Sequence, residues 1–134
     1  MTLASIVEEE TSKSDELATV AGLYMNRLHR GMLLQADPTV IFALGGERPK
    51  RVLNKHLEVD SPYNTYKYGG LPPAPIRFVN TRSIDAVLNY SKHKYLYMCA
   101  KEDFSGYHNF ATTLSQHNVN AARYQRALRN AGIR

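Results

Sequence analysis

Cysteine is nearly absent from this chain. Cys99 is the only one, which excludes an internal disulfide and any metal site built from several thiolates. No apolar run approaches the roughly 20 residues that cross a bilayer, and the N-terminus lacks the basic-then-apolar layout of a signal peptide. Internal repeats, heptads and low-complexity tracts are missing as well, which argues against a solenoid or a coiled coil. A concentrated charge of one sign is also lacking. The 17 basic residues outnumber the 12 acidic ones for a formal charge of +5, but they are scattered, with only short groups such as Arg48, Lys50 and Arg51. Net basicity favours polyanions in general. Without a single-strand-binding signature, even nine tyrosines do not make nucleic acid the expected partner.

What is present suits one folded domain. At 134 residues and 43% hydrophobic the chain can bury a core without metal or disulfide staples. Residues 2–11 read as a short helix with Leu3, Ile6 and Val7 on one face. It starts almost at the first residue, so a fragment of a longer protein is expected. Ser14 is the candidate cap of a second helix, whose stripe of Leu17, Val20, Ala21, Tyr24, Met25 and Leu28 ends at Gly31. Asp37-Pro38 opens a short helix stopped by Gly45-Gly46, and residues 46–60 are polar and weakly patterned. Residues 61–75 hold four of the six prolines and should form a stiffened loop of the kind that binds more often than it merely connects. Thr81 is a candidate cap for a helix containing Ile84, Val87 and Leu88. Residues 95–98 and 107–110 read as a hairpin, and a final helix runs from about Leu114 to Ala131, with Val119, Ala122, Tyr124, Ala127 and Leu128 in imperfect helical spacing and Gly132 as its stop. The expected fold is α+β: a single, mainly helical domain, 1–134, with a small antiparallel sheet.

The triplet Glu8-Glu9-Glu10 would ordinarily be a solvated helix face. At about 100° per residue, however, Glu10 falls within roughly 15° of the mean direction of Leu3, Ile6 and Val7, while Glu9 lies about 110° away and Glu8 nearly opposite. A carboxyl on the inward face loses hydration, which raises its pKa and suits it to general acid catalysis. A buried ion pair with Arg27 accounts equally well for such a position.

The segment LASIVEEET at residues 3–11 resembles a stretch of the form A-S-[IL]-V-E-x-E in the endolytic lytic transglycosylases called MltG or YceG-like. Further blocks follow in the same order: Asn26-Arg27-Leu28, Gly31-Met32, Leu34 through Val40, Ser61 through Tyr66, Gly70 through Pro73, Tyr95-Leu96-Tyr97, His108-x-Phe110 and His117-Asn118. Together they span nearly the whole chain, although each alone would be weak. The resemblance implies a lysozyme- or transglycosylase-like catalytic cleft, with Glu10 catalytic and Glu9 at a variable position. It also implies cleavage of the β-1,4 bond between N-acetylmuramic acid and N-acetylglucosamine, leaving 1,6-anhydro ends without adding water. Such a reaction needs one carboxyl, as acid and then as base, where a hydrolase needs two. Peptidoglycan glycan strands are then the partner, with the cell-wall synthesis machinery as a possible second one. The location is the cell envelope, at the outer face of the cytoplasmic membrane, and membrane attachment comes only through an N-terminal helix absent from this sequence.

Other candidate site residues carry weaker signals. Asp37 is sufficiently explained as a helix cap, while Gln35 could bind an acetamido group or be merely solvated; with Thr39 they form the first candidate binding group. Tyr63, Asn64, Thr65 and Tyr66 combine flat rings with donors and acceptors, as sugar sites do, and the stiffness of their loop would preorganise them. Gly70 and Leu71 would shape the cleft. His108 and His117 stand at no recurring ligand spacing, so neither metal nor cofactor is expected, and Cys99 reads as a small apolar residue. A non-catalytic glycan-binding module is the alternative that would use the same cleft.

Overall fold

Leu3, Ile6 and Val7 on one helix meet Leu17, Val20, Ala21, Leu23 and Tyr24 on the next, and all are at most 5% exposed. Removing each of the larger side chains from water stabilises the fold by roughly 1.5–3 kcal/mol. The computed structural model describes residues 1–45 and 54–132. Arg48, Lys50, Arg51 and Gly46 lie outside them, as does most of the weakly patterned stretch. Its elements are α1 (Thr2–Glu10), α2 (Leu17–His29), α3 (Asp37–Ala43), α4 (Thr81–Leu88), β1 (Tyr97–Ala100), β2 (His108–Ala111) and α5 (Leu114–Asn130), with 3-10 turns at Ser14–Glu16 and His56–Glu58. This is the expected helical domain with one two-stranded antiparallel sheet. Among the described residues no helix is long and apolar enough to cross a membrane.

Helix ends depart from the expected caps. Ser14 lies inside a 3-10 turn, and its hydroxyl accepts from Arg82 instead. Ala36, not Asp37, occupies the cap position of α3; Asp37 is already helical, and Thr39 Oγ1 donates back to the Ala36 carbonyl at 2.8 Å. Asn80, not Thr81, precedes α4. A carboxylate from another helix serves that end: Glu8 Oε1 accepts from the Asn80 amide at 3.2 Å and the Ser83 hydroxyl at 2.7 Å, where negative charge complements the exposed amides of a helix start. Gly31 and Gly132 stop α2 and α5 as expected, with φ of 70° and 76° that suit glycine.

Helix α2 organises the rest through two adjacent polar side chains. Asn26 Nδ2 donates to the carbonyls of His93 and Tyr95 at 2.9 and 3.0 Å. Arg27 Nε donates to the Leu96 carbonyl at 2.6 Å and Nη1 to that of Leu33 at 2.8 Å. Residues 93–96 are thus tied to α2, and the strands begin later than their apolar pattern suggests, with Tyr97 opposite Ala111 and Ala100 opposite His108. Helix α5 packs on this hairpin. Its inward side includes Asn120, 5% exposed, whereas Val119 is 51% exposed and Ala122 is exposed too. The apolar spacing therefore misassigned Val119 and Ala122, whereas Tyr124, Ala127 and Leu128 are partly buried as expected. Leu88, counted on the apolar side of α4, is likewise exposed.

Gly22 permits the close approach of the segment after α4. A Cβ there would collide with the Ser91 carbonyl oxygen and come within 2.8 Å of His93 Nε2. Gly22→Ala is therefore expected to lower stability by about 1–3 kcal/mol, read as a reduced urea midpoint; an unchanged midpoint would contradict the packing described.

Candidate active site

The last turn of α1 carries three carboxyls to three environments. Glu8 is tucked under α4, and the Ser83 hydroxyl above all holds its pKa below the usual range. This corrects the expectation of a solvated side chain. Glu9 pairs with Arg77 at 2.8 Å near the surface, a contact of modest energetic value. Glu10 points inward, and the Tyr24 hydroxyl donates to its Oε2 at 2.7 Å. The alternative ion pair is not formed: the Arg27 guanidinium is spent on the Leu33 and Leu96 carbonyls, with a long 3.5 Å contact to Gln35 Oε1.

Burial is the main cause of a Glu10 pKa raised to about 7. The Tyr24 hydrogen bond and nearby His108 pull it down, while the charges of Asp37 and Glu9 push it up. Near neutrality this carboxyl can both hold and release a proton, as an acid that later acts as base requires. Ionising it in the folded state costs stability. The folded state favours the protonated form, so nothing is lost below pH 4.5, and the penalty grows to roughly 3 kcal/mol as pH rises through about 7.

Three hollows converge on Glu10. One, of about 450 Å³, runs beside α3 and includes Glu9, Asp37, Pro38, Phe42 and Ile76. A second, of about 520 Å³, lies between the end of α1, the β1–β2 hairpin and Tyr124 of α5. The third, about 150 Å³, is enclosed by Tyr24, Arg27, Gln35, Asp37, Tyr66 and Met98. Here Tyr66 donates to Asp37 Oδ1 at 2.6 Å; burial and this bond push the Tyr66 hydroxyl pKa well up, so it remains a donor.

The predicted site residues divide by position. Gln35, with φ of 51°, joins Asp37 and Tyr66 around the small hollow with Glu10. Tyr63 packs on Phe42 with ring centres 4.8 Å apart. Thr39, Asn64 and Thr65 are buried and committed to the scaffold. Thr65 Oγ1 accepts from the Ala36 amide and meets Thr39 Oγ1, each at 2.9 Å, and Asn64 Nδ2 donates to the Leu57 and Val59 carbonyls. Gly70 and Leu71 are exposed and border none of these hollows.

Two participants were not legible beforehand. Tyr24 read as part of the apolar stripe; the signal available was that a buried tyrosine hydroxyl needs a partner. Glu16, 6% exposed, holds His108 through its ring Nδ1 at 3.0 Å and its amide at 2.9 Å, a pairing across 92 residues with no local sequence signal. His117 stacks on Tyr97, and the Arg27 guanidinium lies 5.2 Å from the centre of the same tyrosine ring. Cys99 is half-buried, and burial raises its thiol pKa, as suits an unreactive side chain. Among the described residues no cluster of three or more His, Cys, Asp or Glu could hold a metal.

Residues 1–123 match the YceG-like family. The endolytic murein transglycosylase of Bacillus subtilis (strain 168) is 44% identical over 124 residues, covering 92% of this chain and 34% of that protein. The protein of the same name from Streptococcus pneumoniae (strain D39) is 32% identical over 128 residues, covering 92% and 23%. The crystal structure of the yceG-like protein lmo1499 from Listeria monocytogenes superposes with a TM-score of 0.82 at 44% identity, over 88% of this chain and 38% of that one. The chain thus spans about a third or less of the length of the curated relatives it matches.

Glu10→Gln keeps an acceptor for Tyr24 and removes the ionisation penalty. Its thermal stability should equal the parent's near pH 4 and exceed it increasingly up to about pH 7; a gap independent of pH would refute the burial argument. Tyr24→Phe removes the main influence lowering the Glu10 pKa, so carboxyl-carbon NMR should show Glu10 titrating above its parent value.

Proposed function

The chain belongs to the YceG-like family, and on that premise we propose that it is the catalytic domain of an endolytic murein transglycosylase acting on peptidoglycan glycan strands. The observation that carries this reading is the position of Glu10: a carboxyl of pKa about 7 where three hollows meet, held by a tyrosine and not by a cation. The matched relatives are named for this activity. A polymer cut within its length needs room on both sides of the acid, and the two large hollows provide it.

In the proposed reaction Glu10 donates its proton to the oxygen of the β-1,4 bond between N-acetylmuramic acid and N-acetylglucosamine as the bond to the anomeric carbon breaks. The muramic acid 6-hydroxyl then bonds to that carbon, and its proton returns to the Glu10 carboxylate. No water is consumed, the product ends in a 1,6-anhydro ring, and the acid is regenerated. The positive charge developing at the anomeric carbon is met by the substrate's own N-acetyl group. One carboxyl suffices because the nucleophile belongs to the substrate. Asp37 keeps the proton on Glu10 through its charge, and with Tyr66 and Gln35 it offers hydrogen bonds to hydroxyl or acetamido groups. Tyr63 flanks them, and Thr39, Asn64 and Thr65 fix their backbone from beneath. The cell envelope is the place of action.

Mass spectrometry of digested peptidoglycan is the direct test. The parent should release anhydro-ended fragments, and Glu10→Gln should lower the rate by at least about 10²-fold while still binding strands. Because the first step needs protonated Glu10, kcat/KM should fall as pH rises above about 7. Hydrated ends, or turnover surviving in Glu10→Gln, would defeat the mechanism.

A further inference from the structure

Glu16 and His108 form a pair to which the reaction above gives no task. The His108 amide donates to Glu16 Oε2 at 2.9 Å and its ring Nδ1 donates to Oε1 at 3.0 Å, and the two side chains are only 15% (His108) and 8% (Glu16) exposed. Thr11, directly after Glu10 in the chain, donates through Oγ1 to Glu16 Oε1 at 3.4 Å and accepts from the Lys13 amide at 3.1 Å. The end of α1 is thus joined through Glu16 to β2. An ionised carboxyl only accepts, so Nδ1 carries a proton and Nε2 is the nitrogen that gains or loses one. Among the described residues Nε2 has no hydrogen-bond partner. Burying a carboxylate to hold one ring in one orientation is a costly way to dock a strand.

His108 and Glu10 line the same hollow. Among the described residues no hydrogen bond or ion pair joins them, yet a protonated His108 favours the Glu10 carboxylate through its charge. The groups around Glu10 divide by sign. Asp37 from α3 and Glu9 from α1 oppose its ionisation, Tyr24 from α2 hydrogen-bonds it, and Arg27 lies across the small hollow with its guanidinium on two carbonyls. Facing His108 are Glu16 and, around their shared hollow, Glu8, Glu9, Lys101, Tyr107 and Tyr124.

When Glu10 gives its proton to the glycosidic oxygen, a negative charge appears beside two others that repel it. A cation in contact would have held that charge on Glu10 beforehand. One set back across a hollow lowers the energy of the carboxylate as it forms and still leaves the acid its proton at the start. We propose that His108, oriented by Glu16, is a positioning residue for the proton transfers of Glu10: its ring cation stands across the hairpin-side hollow to balance the charge that Glu10 gains in the first step and loses when the 6-hydroxyl proton returns. No bond to the ring forms or breaks, and His108 keeps its own protons throughout. This role rests on the glycan-cleaving reading of Glu10.

His108→Gln keeps a donor for Glu16 and removes the charge. On purified peptidoglycan strands its kcat at pH 6 should fall about fivefold with KM nearly unchanged. Loss of a positive neighbour raises an acid's pKa, so the alkaline fall of kcat/KM should move to higher pH than in the parent. A merely structural role would lower the rate without moving that limb, and this result overturns the proposal. The parent gives a second readout that needs no substitution: the Glu10 carboxyl carbon should show an NMR inflection where the His108 ring nitrogens titrate, and independent curves overturn the proposal even if His108→Gln does not fold. If the parent leaves the strands intact, the reading of Glu10 falls and the role of His108 with it. An active parent matched by His108→Gln in rate and pH profile removes the role of His108 alone.

Discussion

A carboxyl group packed against a hydrocarbon core, with no ion-pair partner among the described residues, is the constraint on which the arrangement depends. Glu10 continues the apolar stripe of α1, and the α1–α2 interface that buries Leu3, Ile6 and Val7 also dehydrates its carboxyl. Tyr24, from the same interface, supplies a hydrogen bond that orients the group without fixing its charge. An arginine in that place would have held Glu10 ionised and useless as an acid near neutrality. Arg27 is one turn further along α2, and the chain occupies it with the carbonyls of residues 33 and 96.

That diversion has a structural return. With Asn26, Arg27 makes α2 the post to which the segment before β1 is tied, and through β1 it sets the position of β2, His108 and the base on which α5 packs. Since the acid's surroundings and the hairpin hang from one helix, the wall formed by the α3 region and the wall formed by the hairpin are registered against a common reference. A cleft built this way can present both walls to one extended ligand.

The four glutamates near α1 show how local surroundings sort one side-chain type into different tasks. Glu8 caps a neighbouring helix and its pKa falls. Glu9 makes a surface pair, Glu10 is half-buried with its carboxyl desolvated, so its pKa rises, and Glu16 orients a histidine at the cleft. Glu8 and Glu10, of identical intrinsic pKa, are pushed apart by a hydrogen bond at one and desolvation at the other, the pattern expected where acid–base chemistry is assigned to one of them.

Much of this was legible in the sequence, for physical reasons that differ by feature. Helical phase singled out Glu10 because a single helix fixes the relative directions of its own side chains, and apolar stripes and glycines located α1, α2 and the end of α5 on the same local grounds. The order of blocks pointed to the family. Tertiary structure alone decided which partner each polar atom found. Glu8 became a cap for α4, Asp37 turned to Tyr66, and Asn64 and Thr65 were drawn into the scaffold. Asn120 replaced Val119 on the packed face of α5, and Glu16 reached His108 across 92 residues. A side chain's direction on its own helix is a local property, whereas a hydrogen bond or a desolvated pocket depends on which distant segments arrive beside it.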